Sequence, residues 1–389
     1  MCMRKLGKWL KIALFTGVGI IMLSVIVVYA FVIKRPTAIP VADDTKPYKW
    51  NKVELGEQTF SSDGSEYYLL TKKGESSNWI IFFSGGGVSW DEKSAAEPIT
   101  ILKTLKTGEL GNYFANIPFY KVTLLKGMLE TENADNPFQG WNVAYIPYTT
   151  GDFHIGNRTA EYNKEDGSSF TMRYNGTTNV RHSLEWIYEN AGEPEKLLIA
   201  GESAGGFGSA FWASEIASHY NESDIYHYSD SSFLKSDKWP NIVDNEWNAD
   251  FEAAFGFVPE ADIIGSVFKA NRQQLPENAI LLQSYSLYDD TLIHFQYKIN
   301  DDVTTPIEQK IANWSRELRT SVRSLSNLPN YYYYLTDYGL NPDKGTTPHT
   351  FTADDNFYQT EQDGVKLLRW LDDIVNKQQH YSVGGKFIE

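Results

Sequence analysis

The chain has 389 residues, a formal net charge of -15 at pH 7 and a single cysteine, Cys2. The first 35 residues carry six basic side chains and no acidic one, so setting those six charges aside leaves -21 on the remainder, a field that repels polyanions and argues against nucleic acid as a partner. With its one thiol at the N-terminus, the body has no cysteine pair for an internal disulfide, a usage ordinary for a bacterial envelope protein.

Arg4, Lys5, Lys8 and Lys11 precede the uncharged run Ile12–Ile33, 22 residues long, which Lys34, Arg35 and Pro36 close. About 20 apolar residues span a hydrocarbon core. Residues 1–11 therefore read as a basic cytoplasmic end and 12–33 as a transmembrane signal-anchor, with the basic excess before the span placing the C-terminal body outside the cytoplasm. The competing reading is a signal peptide cut near Ala30, which would leave a secreted body. Residues 34–48 form a polar, proline-containing stem, and 49–389 contains neither a long linker nor an internal repeat, which predicts one domain.

Within that body, Val53–Phe60 and Tyr67–Thr71 are divided by Ser61-Ser62-Asp63-Gly64 and read as a hairpin. Trp79–Phe83 is continuously apolar, as a strand buried on both faces of a parallel sheet must be. It exits into Ser84-Gly85-Gly86-Gly87. Ser94–Leu110 is expected to be helical, and 111–140, rich in aromatic residues, Asn and Pro, reads as an insertion that shapes or covers a pocket. Trp141–Tyr145 is the next strand and delivers a polar loop holding Asp152 and His154. Those two are candidate substrate-binding residues; the alternative is that they satisfy the loop's own backbone. Phe170–Tyr174 follows as a small strand, and Asn179–Glu189 has helical spacing that Gly192 and Pro194 end.

Leu197–Ala200 then reads as a strand, Gly206–His219 as a helix and Ile225–Tyr228 as a strand ending at Asp230. Asp230 is either a catalytic acid or, as its place at a strand end favours, a holder of loop backbone. Residues 233–275 form a second insertion, with Trp239, Trp247, Phe251, Phe255 and Phe257 dense enough to build a local core rather than a ligand platform. Ala279–Tyr285 is a strand leading to Asp289 and Asp290, Ile307–Leu325 an amphipathic helix, and Tyr331–Leu335 a strand, because aromatic residues fit a pleated sheet. After a loop containing Pro348-His349 the chain ends in a helix with Val365, Leu368, Trp370 and Leu371. Alternating strands and helices with glycine-rich strand exits predict a three-layer α/β domain with a mostly parallel sheet, its site at the carboxyl ends of the strands.

Between the strand and helix over 197–219 stands Gly201-Glu202-Ser203-Ala204-Gly205, a G-x-S-x-G pattern in the strand–turn–helix setting that exposes a serine hydroxyl above a sheet edge. This makes the predicted fold α/β-hydrolase-like. A serine hydroxyl is a weak nucleophile, so it needs a base, and the base an orienting carboxylate. On this fold the order is Ser, Asp or Glu, His. Of seven histidines, only His294, His349 and His380 follow a suitable acid. His294 lies five residues past Asp289 in an expected helix and His380 in the polar tail, whereas His349 lies in a loop among small neighbours. Ser203 is therefore the candidate nucleophile and His349 the base; Asp289 and its neighbour Asp290 are not separated by spacing. Backbone N–H groups of Gly86, Gly87 and Ala204 are the candidate oxyanion donors. The sequence contains no metal-ligand cluster and no nucleotide fingerprint, so no cofactor or metal is expected.

Six segments, Ile81-Phe82-Phe83-Ser84-Gly85-Gly86-Gly87, Tyr145-Ile146-Pro147-Tyr148, Gly201 to Gly206, Asp230-Ser231, Leu287-Tyr288-Asp289 and Pro348-His349, together resemble the pectin acetylesterase and Notum family, in that family's order. The resemblance runs from about Trp79 to Ile374 and implies Ser203, Asp289 and His349 as the triad. Family members are carboxylesterases that remove acetyl groups from pectin or a palmitoleoyl group from Wnt proteins. This chain differs in lacking the disulfide cysteines of plant and animal members, in Ser84 where a glutamate is usual and in Val88 where a tryptophan is usual. The resemblance implies a serine carboxylesterase acting on an O-acetylated carbohydrate, and the N-terminal reading places it outside the cytoplasm; the alternatives are a deacylase of lipidated substrates and a non-catalytic surface protein that binds a glycan or acylated ligand.

Overall fold

The computed structural model describes residues 2–39, 46–100 and 111–389. A nine-stranded sheet runs through them: β1 (Thr37–Ala38), β2 (Trp50–Glu54), β3 (Tyr68–Lys72), β4 (Trp79–Phe83), β5 (Asn142–Ile146), β8 (Lys196–Glu202), β9 (Asp224–Asp230), β10 (Ile280–Ser286) and β11 (Tyr331–Thr336). Their order is β1-β2-β3-β5-β4-β8-β9-β10-β11. From β5 to β11 every neighbouring pair is parallel, and the β2–β3 hairpin joins antiparallel at the β5 edge. The expected hairpin is present, but its first strand starts at Trp50 and ends at Glu54, because Gly56, at φ 93°, turns the chain. The small strand expected at Phe170–Tyr174 is β7 (Ser169–Tyr174), which pairs with the unannounced β6 (Arg158–Asn163) as an antiparallel ribbon apart from the main sheet.

Strands buried on both faces need apolar side chains at every position, and β4 shows the result. Ile81 and Phe83 pack into the core on one face, Ile80 and Phe82 into the core on the other. The first face is covered by α2 (Gly176–Asn190), α3 (Ala204–His219), α4 (Ile263–Gln274), α5 (Asp290–Ile299) and α6 (Ile307–Leu325). In α6 the stripe Ile311, Trp314, Leu318, Val322 and Leu325 is buried, and the larger side chains contribute about 1.5–3 kcal/mol each. The opposite face takes α7 (Leu367–Val375) and, with it, Met128, Leu129, Phe351 and Phe357. The molecule thus has three layers, as expected, and the turns after β4, β8, β9 and β10 emerge at one end of the sheet.

Three expectations change. Of the expected helix Ser94–Leu110, the described part is helical only within Glu92–Ala95, which Asp91 caps through Ser94, and 101–110 lie outside the described residues. The segment 111–140 also works as core, since Val122, Met128, Leu129 and Phe138 are buried against the sheet. In 233–275, Trp239, Trp247 and Phe251 are core residues, as expected. At the N-terminus α1 (Cys2–Val27) forms, but it passes into π-helical backbone over Val28–Val32. Among the described residues no helix is long and apolar enough to cross a membrane. The uniform apolar run therefore does not form one unbroken α-helix through residue 33.

Candidate active site

Ser203 occupies the sharp turn between β8 and α3 with φ 54° and ψ -126°. A non-glycine residue there stores about 1–3 kcal/mol of strain, kept only where the surroundings over-determine it. Two glycines make that turn possible. A Cβ on Gly201 would lie 2.0 Å from the Gly205 carbonyl oxygen, and one on Gly205 2.0 Å from that of Phe83. The Ser203 N–H donates to the Asp230 carbonyl at 2.8 Å, and Gly206 N–H donates back to Ser203 O at 2.9 Å. Flanked by these bonds, the side chain is partly exposed.

The glycine-rich exit of β4 runs directly beside it: a Cβ on Gly85 would meet Ser203 Cβ at 2.9 Å. Val88 N–H donates to Asn112 O at 2.8 Å and Phe114 N–H to Gly86 O at 3.1 Å, which pins this exit against 112–114. Gly87 holds φ 84° at that bridge. Among the described residues the N–H groups of Gly86, Gly87 and Ala204 have no acceptor. Free donors beside an exposed hydroxyl are what a developing oxyanion requires.

Asp289 and His349 meet. His349 Nδ1 lies 2.7 Å from Asp289 Oδ2, with the carboxylate side chain only 1% exposed and the imidazole 18%. Asp289 is also the N-cap of α5, its Oδ1 accepting from Leu292 N–H at 2.9 Å. Both of its oxygens are thereby fixed. Asp290, one residue on, is exposed in the first turn of the same helix, so the geometry separates the two acids that spacing could not. Burial disfavours the imidazolium, but the charge and hydrogen bond of Asp289, with the charges of Asp230 and Glu202, outweigh it and raise the His349 pKa above its ordinary value. With Nδ1 donating to the carboxylate, Nε2 is left as the acceptor.

The histidine loop is tied to both strands that flank the serine. Asp230, fully buried, accepts Phe351 N–H at 2.7 Å and Thr352 N–H at 3.1 Å on Oδ2, while its own carbonyl holds Ser203 N–H. It is thus a holder of loop backbone and makes no contact with the imidazole nitrogen. Thr347 and Tyr288 exchange backbone contacts across the acid and base loops, and Ser286 Oγ donates to Pro348 O at 2.9 Å.

Asp152 and His154 do not join this site. Asp152 is completely buried and accepts from Thr150 Oγ1 at 2.6 Å, His154 N–H at 3.1 Å and Gly176 N–H at 2.9 Å. Burial pushes its carboxyl up to about 6. His154 is 2% exposed, lies 3.0 Å from Ser84 O through Nε2, and is pushed down to about 4 by burial. Neither side chain reaches the surface, so both serve the loop and substrate contact is corrected. Sequence reasoning passed over Glu202, inside the serine motif, and Lys121, whose ammonium lies 5.5 Å from the Tyr145 ring centroid. Position within the motif was the available signal for the first; nothing local marked the second. Among the described residues no group of three or more His, Cys, Asp or Glu side chains is arranged to hold a metal.

A sequence model of the pectinacetylesterase family matches residues 47–259. No curated protein matches the chain. Among solved structures, Notum from Drosophila, a Wnt deacylase, is similar, with a TM-score of 0.58, 15% sequence identity, and coverage of 87% of this chain and 96% of that one. At that identity the likeness speaks for the fold. The family match takes in the glycine-rich exit and the serine turn, and stops before Asp289 and His349, whose pairing rests on the geometry above. With the family pattern running through more than half of its 389 residues, the chain belongs to the pectinacetylesterase family and is a carboxylic-ester hydrolase.

Proposed function

We propose that this chain is a serine carboxylesterase that removes short acyl groups, acetyl above all, from a carbohydrate outside the cytoplasm. The observation that carries the mechanism is the 2.7 Å bond between His349 and Asp289, in a loop anchored to both neighbours of a strained Ser203. Ser203 Oγ attacks the ester carbonyl as its proton passes to His349 Nε2, and Asp289 holds the ring and stabilises the imidazolium. N–H groups of Gly86, Gly87 and Ala204 receive the oxyanion. Collapse breaks the bond to the alcohol oxygen, which leaves with the proton from His349. Water, deprotonated by the same base, then attacks the acyl-enzyme and releases the carboxylic acid and free Ser203.

The short acyl length is supported by the family description, which names acetyl as the acyl group. The carbohydrate is supported by the family description. Attachment to a membrane through 12–33 is supported by Leu14, Phe15 and Ile20 to Leu23 on α1, each more than 60% exposed, and by the basic residues before them.

The test is hydrolysis of p-nitrophenyl esters of increasing acyl length. Acetate is expected to be the best substrate, with kcat/KM falling as the chain lengthens, and Ser203→Ala is expected to lower turnover on the order of 10³-fold or more. A Ser203→Ala protein with the parent's turnover excludes the mechanism, and a preference for long acyl chains replaces the acetyl reading with lipid deacylation.

A further inference from the structure

Thr350, directly after the base, holds φ 60°. A β-branched residue in the left-handed region is strained, and its neighbours must hold it there. They do so through three consecutive backbone N–H groups. Phe351 and Thr352 donate to Asp230, which also accepts Thr352 Oγ1 at 2.7 Å, and Ala353 N–H donates to Glu202 Oε2 at 3.1 Å. Glu202 ends β8 and precedes the nucleophile; Asp230 ends β9 and binds the nucleophile's own N–H. The two carboxylates thus grip the chain just past the base from β8, which leads into the serine, and from its neighbour β9.

We propose that Glu202 is a positioning residue for the general base: with Asp230 it clamps the three N–H groups that follow His349 and Thr350, and so fixes the loop that carries the imidazole. This rests on the serine esterase reading. The groups around Glu202 are Asp230 on β9, Asp354 beyond the clamped loop, Lys121 on the 111–140 segment, Tyr228 on β9, Tyr145 on β5, and His349 itself. Lys121 is the one cation in that set. Burial, then the charge of Asp230, push the Glu202 carboxyl up to about 7, with Lys121 opposing them. The clamp accordingly weakens as the medium turns acidic, and the negative charge that helps hold a proton on His349 is lost with it.

The test compares Glu202→Gln and Glu202→Ala in the full chain by p-nitrophenyl acetate kinetics against pH and by NMR titration of the His349 imidazole, assigned with a His349 variant. Glutamine keeps an oxygen for Ala353 N–H but removes the charge. Alanine removes both. Glu202→Ala is expected to lower kcat about tenfold or more with KM little changed, as a displaced base does, and Glu202→Gln to restore most of that loss at alkaline pH. In both variants the His349 titration and the acid limb of kcat/KM are expected at lower pH than in the parent. A Glu202→Ala enzyme with the parent's kcat, or a Glu202→Gln protein whose His349 titrates as in the parent, overturns the proposal. Should Glu202→Ala fail to fold, Glu202→Gln decides by titration alone. Ser203→Ala separates the two readings: if it retains turnover the esterase mechanism fails, while the imidazole titration still judges Glu202.

Discussion

At the scale of single residues, one carboxylate has two tasks. Asp289 caps α5 with one oxygen and orients His349 with the other, and asparagine can keep the first task while failing the second. Asp289→Asn is expected to fold with near-parent stability and to lose kcat on the order of 10³–10⁴-fold, because the amide no longer holds the needed tautomer. Asp290→Asn, on an exposed side chain, is expected to stay within about threefold of the parent, since it lies outside the proposed triad. Stopped-flow or steady-state ester hydrolysis checks both, and a reversal of the two effects would reassign the acid. The sign of the pH dependence follows as well. If His349 is the base it works unprotonated, and its pKa is raised above the ordinary imidazole value, so activity is expected to disappear as the pH falls through that raised value.

At the scale of elements, the site depends on loops that are themselves held by buried polar groups. The loop after β5 is the clearest instance: Asp152 gathers three donors, two of them backbone N–H groups, the farther one 24 residues from it in sequence. Asp152→Ala removes the buried acceptor of those donors. Since each unsatisfied buried group costs about 1–3 kcal/mol, a loss of roughly 3 kcal/mol or more in unfolding free energy is expected, measured by urea denaturation. Per folded molecule, kcat should remain close to the parent's. A large fall in kcat with unchanged stability would return Asp152 to the active site.

At the scale of the whole molecule, the acidic body and the basic N-terminus pull apart in charge. The apolar face of α1 is exposed, and Lys34, just past its end, pairs with Glu132 at 2.8 Å on the body. If 12–33 attaches the enzyme to a bilayer, the full chain stays with membranes through alkaline carbonate extraction, and deletion of residues 1–35 releases active esterase into the soluble fraction. Full-length protein freed by carbonate would remove the anchor from the proposed function.

Much of this was legible in the linear chain. Trp79–Phe83 and Ile307–Leu325 have the bounds in the structure that their patterns announced, because continuous burial and a 3.6-residue stripe each leave a local mark. Ser203 stood out for the same reason: its strained turn demands glycine two positions either side, and those glycines are neighbours in sequence. The pairing of Asp289 with His349, 60 residues apart, the discard of Asp290, and the withdrawal of Asp152 and His154 into their own loop were decided only by folding. So was the grip of Glu202 on Ala353, 151 residues away. A hydrogen bond between distant residues costs the sequence no periodicity and no composition, so side-chain direction at the strand ends had to be fixed by the packed sheet before these acids had partners.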